Sequence, residues 1–327
     1  RDLRETLYKA YLNRGNNDNE YDNKEIVSKV ADLRVKKAHL LGYETYADYQ
    51  LQTRMAKKPE NVMDLLNKLW DAALPVAKQE RKEMQAIIDK EGKDFELKSW
   101  DWWYYAEKLR KQKYNLDDSE LRPYFSLDNV RQGSFDVATK LFGITFEEVK
   151  DIPKPHPDAR VWEVKEDDGS HLGLLYMDFH PRESKNGGAW CGSYRTHHMT
   201  QDGKEIAPIK TVVCNFTTPT EDKPALLSMD EVETLFHEFG HALDGLFADN
   251  HYPRTFIARD FVELPSQIME HWASHPKVMK EYAKHYETGE AIPDKLIQKI
   301  EKSSYFNQGF ANVEYLAASL LDMAYHT

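Results

Sequence analysis

The segment from Ser228 to Leu246 constrains this chain more than any other. It opens Ser228-Met229-Asp230-Glu231, a capping box in which Ser228 accepts from the backbone of Glu231 and the Glu231 side chain reaches back. Acidic residues in the first turn suit the positive end of the helix dipole. Val232, Leu235, Phe236, Phe239, Ala242, Leu243 and Leu246 then recur at helical spacing and supply a buried stripe. A helix is therefore predicted from its own start signal and periodicity, before any motif is considered.

That helix carries His237-Glu238-Phe239-Gly240-His241. The histidine spacing places both imidazoles on one face, one turn apart, near enough to share one tetrahedral ion. Glu238 adjoins the first histidine, beside the ion rather than on it, where it can take a proton from a metal-bound water. This is the HExxH arrangement. Zinc lowers the pKa of its bound water toward about 7, so a carboxylate suffices as base. Gly240 in mid-helix costs about 1 kcal/mol against Ala, which points to a packing or access requirement.

A third ligand is at hand in a second apolar-patterned segment, Asp260-Phe261-Val262-Glu263-Leu264-Pro265-Ser266-Gln267. Pro265 fits a helix's first turn. From that turn Glu263 projects toward the first helix. Two histidines and a glutamate leave the fourth zinc position open for water, as in catalytic sites. One Zn2+ per chain is the expectation. Asp244 shares the face of His241; it is either a group that orients His241 through its second nitrogen or a plain surface aspartate. Glu270 shares the face of Glu263 and is a further candidate in the second shell of ligands. His197, His198, His251 and His271 show no ligand spacing and are read as non-ligands.

Composition narrows the alternatives. The 327 residues, 41% of them hydrophobic, suffice for one large domain or two smaller ones. A net charge of −11 with no Lys/Arg-rich stripe argues against nucleic acid as a partner. No apolar run approaches a membrane span. Two distant cysteines, Cys191 and Cys214, make neither a disulfide framework nor a structural zinc site and are read as free buried thiols. The start, Arg1-Asp2-Leu3-Arg4, has no initiator Met and no basic-then-apolar leader. A cytoplasmic protein is expected, with the periplasm as the alternative.

Three regions follow from the patterning: residues 1–145 helical, 146–222 a small β-sheet, and 223–327 the zinc-binding helices, together one incomplete catalytic domain. Residues 24–41 are apolar at helical spacing (Ile26, Val30, Leu33, Ala38, Leu41), with Gly42 at the stop, and Asn13–Asn23 is a loop. A long helix is predicted from Pro59 to about Lys90, kinked or divided at Pro75. The aromatic knot Trp100, Trp102, Trp103, Tyr104 and Tyr105 is read as packing. Val161–Val164, Asp168-Gly169 and Leu172–Phe179 form a hairpin, and Ala189–Arg195 and Thr211–Phe216 are further strands. Gly187-Gly188 marks a turn or a close approach of backbone to a ligand.

The stretch Leu235–Leu243 taken with Asp260–Gln267 resembles the thimet-oligopeptidase-type zinc metallopeptidases, and within them the bacterial peptidyl-dipeptidase (dipeptidyl carboxypeptidase) branch. So do Leu40-Leu41-Gly42-Tyr43, Trp100-Asp101-Trp102, His156-Pro157-Asp158, Ser184-Lys185 with Gly187-Gly188-Ala189-Trp190, Glu270-His271-Trp272-Ala273 and Leu320-Leu321-Asp322-Met323. The resemblance implies a mainly α fold with a small antiparallel β-sheet, a zincin-like metallopeptidase catalytic core in two lobes about a channel. It implies release of C-terminal dipeptides from short unstructured peptides. In it His237, His241 and Glu263 match the zinc ligands and Glu238 the catalytic base. Gly188, Ala189 and Trp190 match a channel-side strand to which an extended peptide pairs.

Two departures stand out against that family. Asp244 replaces a usual His, and Tyr252–Ala258 lacks a Gly-Thr element and is about three residues short. Family members are about twice this length. The chain is thus expected to be a central fragment, or a shortened homologue, without the later tyrosine-bearing segment that stabilises the oxyanion. Such a fragment would fold around zinc, turn over poorly alone, and self-associate through uncovered apolar surface. The competing expectations are an endo-acting oligopeptidase and a zinc-containing peptide-binding fragment without turnover.

Overall fold

In a computed structural model, which describes residues 1–253 and 257–327, the chain runs from helices through a sheet and back to helices. The first helices are α1 (Asp2–Leu12), α2 (Lys24–Leu40), α3 (Tyr46–Leu51), α4 (Pro59–Lys90), α5 (Trp102–Tyr114), α6 (Asp118–Leu121) and α7 (Leu127–Phe142). The strands are β1 (Thr145–Glu148), β2 (Arg160–Lys165), β3 (His171–Asp178), β4 (Trp190–Arg195), β5 (His198–Met199), β6 (Glu205–Ile206) and β7 (Ile209–Val213). Then follow α8 (Met229–Leu246), α9 (Leu264–Ser274), α10 (Pro276–Tyr282), α11 (Asp294–Ser303) and α12 (Gln308–His326). Packing groups them into two units, one of Arg1–Asn115 with Lys302–Thr327 and one of Leu116–Glu301. These limits differ from the three sequence regions, which follow element type: α7 packs on α8 and β1, whereas α12 packs along α4.

The first unit is built on α4 and α12. Pro75 does not divide α4, which runs unbroken through it, contrary to the alternative of a break there. The helix is braced at that turn by Gly309 of α12. A Cβ on Gly309 would lie 2.4 Å from the backbone N of Ala77 and 2.7 Å from the carbonyl carbon of Val76. Glu80 caps α12, accepting from the amides of Gly309 at 3.1 Å and Phe310 at 2.8 Å. The aromatic knot is partly packing: Trp102 stacks on Phe310 at 4.3 Å, while Trp103 is 65% exposed. Helix α2 buries only Ala38, leaving Ile26, Val30 and Leu33 of its apolar stripe at the surface.

The second unit holds a five-stranded sheet in the order β1-β2-β3-β7-β4. The expected hairpin is β2–β3, closed by Gly169 at φ +83°. The expectation of an antiparallel sheet is corrected: β3 and β7 run parallel, so the sheet is mixed. The cause is connectivity. After β3 the chain makes β4 and the β5–β6 pair, then returns to insert β7 between β3 and β4. That leaves β4 as an edge strand. Behind the sheet, Phe239 of α8 packs on Phe135 and Phe146, themselves stacked at 4.0 Å. Cys214 is buried, Cys191 half-buried, and both are free. Among the described residues no helix is long and apolar enough to cross a membrane.

Candidate metal centre

The helix start read from sequence is present in full. Ser228 accepts from the Glu231 amide at 3.2 Å, and the Glu231 carboxylate accepts from the Ser228 amide at 2.8 Å. Helix α9 opens with Pro265 in its first turn, and Glu263 stands at its N-cap. Gly240 sets how closely the two helices meet. A Cβ there would lie 2.6 Å from Ser266 Cα and 2.7 Å from the Pro265 carbonyl oxygen. Backbone therefore packs on backbone, and Glu263 is brought over the histidine face of α8.

The outcome is a convergence of three donors. Glu263 Oε2 lies 3.3 Å from His237 Nε2 and 3.1 Å from His241 Nε2. Ligand atoms of the three residues all lie within 4.8 Å of one another. Two imidazoles and a carboxylate are a donor set that suits zinc and leaves one coordination position free. Ser266, fully buried, has one hydroxyl proton to share between the Glu263 carbonyl at 2.8 Å and Glu263 Oε2 at 3.1 Å, which tethers the carboxylate to its own backbone. Burial pushes the His241 pKa down, which favours the neutral imidazole that a metal requires.

Glu270 meets His237 Nδ1 at 2.6 Å. A carboxylate can only accept, so Nδ1 carries the proton and Nε2 presents its lone pair toward Glu263 and His241. Replacing Glu270 by Ala is expected to lower zinc affinity about 10- to 100-fold with the fold intact. Competition against a chromogenic chelator measures this; unchanged affinity would show the contact to be incidental.

Glu238 is not one of the three donors. It is 6% exposed, and its Oε2 is buried with no hydrogen-bond partner among the described residues. Burial raises its pKa; the Glu263 charge adds to the rise, while His237 and the backbone amide of Cys191 in β4 oppose it. An unpaired buried carboxylate oxygen beside a metal-type donor set is costly for structure alone and is typical of a group kept for chemistry.

Other sequence candidates fall as follows. Asp244 makes no hydrogen bond or ion pair with His241; burial raises its pKa, with Lys210 and His241 acting against the rise. Lys210, unremarked in the sequence, lies across Gly245, where a Cβ would sit 2.6 Å from its Nζ, and donates to Ser193 of β4 at 2.9 Å. Gly188 and Ala189 precede β4 rather than belonging to it. Gly188 has φ +87°, open space where a Cβ would stand, and a carbonyl held by Asn215 at 2.7 Å. Trp190 opens the strand, 39% exposed. His197 pairs with Glu205 at 2.9 Å and accepts from the Asn250 amide, away from the three donors. Of the segment Tyr252–Ala258, residues 254–256 lie outside the described residues.

The sequence profile of Peptidase family M3 matches residues 1–327. This chain belongs to peptidase family M3. Among M3-like relatives, the dipeptidyl carboxypeptidase of Escherichia coli (strain K12) is 44% identical over 330 residues, covering all of this chain and 48% of that protein. Oligopeptidase A of the same organism is 36% identical over 332 residues, covering 99% of this chain and 49% of the relative. Saccharolysin of Saccharomyces cerevisiae is 33% identical over 326 residues, with 94% and 45% covered. The chain spans about half the length of the curated relatives it matches.

Proposed function

We propose that this M3 chain carries the zinc site of a peptidyl-dipeptidase, an enzyme that releases dipeptides from the C-termini of short unstructured peptides. The observation that carries the reading is the convergence of His237, His241 and Glu263, with the Glu238 carboxylate, one oxygen of which is unpaired, beside them. The two histidines and Glu263 would hold one zinc ion. When bound, zinc supplies Lewis acidity, making water ionise near neutral pH and polarising a carbonyl.

The remaining work belongs to the chain's own groups. Glu238 accepts the proton of the attacking water and later passes it to the leaving amine. Its burial raises its pKa, so the protonated form is accessible for the second transfer. Glu270 keeps the His237 ring in one tautomer and one orientation. The free edge of β4, entered through Gly188, Ala189 and Trp190, offers backbone donors and acceptors to an extended peptide. A chain already paired in its own sheet or helix cannot present such a strand, so unstructured peptides are the substrate class.

The similarity to a protein named dipeptidyl carboxypeptidase supports exopeptidase action. The similarity to oligopeptidase A supports the second reading, endo-acting cleavage. Product mapping on one peptide, with its C-terminus free or amidated, separates them in the protein that contains this chain. Dipeptide release from the free form alone is the expected result; equal cleavage of both forms establishes the endopeptidase. The two free thiols favour a reducing compartment, and the cytoplasm is the location we assign. Recovery of the protein in a periplasmic fraction would overturn that assignment.

A further inference from the structure

Among the described residues strand β4 has only one partner in the sheet, β7, yet it must stand at a fixed place over α8. A long turn delivers it, because the chain has to pass around the end of β7 to reach the edge. Two side-chain clusters hold that turn. The Lys185 side chain is 4% exposed. Its ammonium reaches the carbonyl of His180 at 2.8 Å and both the carbonyl and the carboxylate of Asp178 at 3.2 Å. It also donates to the carbonyl of Cys214, just beyond β7. Next to it, the Asn215 amide donates to the carbonyls of Asn186 at 2.8 Å and Gly188 at 2.7 Å.

The pattern is specific. Asp178 ends β3, and Cys214 and Asn215 follow β7, so both central strands grip the turn that starts β4. Asp178 is itself 5% exposed; burial would raise its pKa, but Arg182 and Lys185 more than offset this and hold it below the usual carboxylate range. A buried ammonium is tolerated only when its protons are met by oxygens and its charge is paired. Lys185 meets both conditions, which is more than closing a surface turn requires.

We propose that Lys185 and Asn215 are positioning residues for the peptide: they fix the start of β4, and through it the edge that a substrate strand pairs with. The proposal rests on β4 being the peptide-binding edge. Neither residue touches the zinc donors, so their loss acts on substrate placement and not on metal retention.

The test compares Lys185→Met and Asn215→Ala with the parent, in the protein that contains this chain, by zinc content, peptide kinetics and amide hydrogen exchange. Both variants should keep zinc and show faster exchange at residues 186–193, with α8 unchanged. KM should rise about tenfold or more for Lys185→Met and less for Asn215→Ala, with kcat changing less than KM. Should Lys185→Met fail to fold, Asn215→Ala alone decides. Unchanged exchange at 186–193 in a folded variant overturns the proposal, and so does faster exchange with unchanged KM. If the parent releases no peptide product, the functional reading fails separately, and exchange together with binding of an unstructured peptide still decides whether Lys185 and Asn215 hold this edge.

Discussion

Replacing Glu238 with Gln should leave zinc bound and remove most turnover. The substitution is nearly isosteric, and Glu238 Oε2 has no hydrogen bond to lose. Burial disfavours the charged carboxylate, so a neutral amide at this position costs the fold less in desolvation than the ionised acid does. What disappears is the capacity to take and return a proton. General-base contributions are typically on the order of 100- to 10,000-fold, so kcat should fall by that much while zinc stoichiometry and thermal midpoint hold. Near-normal kcat would exclude Glu238 as the base. Loss of zinc in this variant would instead make Glu238 part of the metal's binding set.

The second large effect concerns the metal itself. Zinc bound only by the folded state stabilises it by about 2.7 kcal/mol when present at 100 times its dissociation constant. In a chain of 327 residues that corresponds to a rise of roughly 4 °C in the thermal midpoint, and a chelator should reverse it. Changing both His237 and His241 to Ala leaves Glu263 as the lone donor of the three. A single carboxylate does not retain zinc against a chelator, so the variant should carry none and its midpoint should not respond to the metal. A zinc-dependent rise of the same size in the double variant would place the ion elsewhere.

The parts of this architecture that depend on neighbours in sequence were the legible ones. The capping box at Ser228 and the spacing of His237 and His241 are local, and the helix period alone puts both rings on one face. Pro265 marked the start of α9 for the same reason. Pairings between distant segments were not legible. Nothing local distinguishes a β7 that pairs in parallel with β3 from one that continues a meander, so the sheet was expected to be antiparallel. Pro75 reads as a break, because the support that Gly309 gives α4 lies far along the chain.

At the site itself, Gly240 signalled a packing need, but only the structure names Ser266 and Pro265 as what it accommodates. Glu270 was singled out because it shares a face with Glu263, yet its contact is with His237. Asp244 was singled out by the same spacing argument on α8 and makes no bond to His241. Spacing on one helix says which residues share a face; it does not say what the facing element brings to meet them. In the sequence Lys185 figures only within a family-like stretch and Lys210 not at all, because a lysine is normally solvated, and only three-dimensional packing reveals one enclosed by oxygens or laid across a glycine.

The central claim is that one zinc ion is held by His237, His241 and Glu263. Crystals of the zinc-loaded chain, measured on either side of the zinc absorption edge, test it most directly. The expected result is a single anomalous peak bounded by the Nε2 atoms of the two histidines and the Glu263 carboxylate, with Glu238 outside bonding distance. A peak at any other set of residues, or a site in which Glu238 replaces Glu263 as ligand, would contradict it.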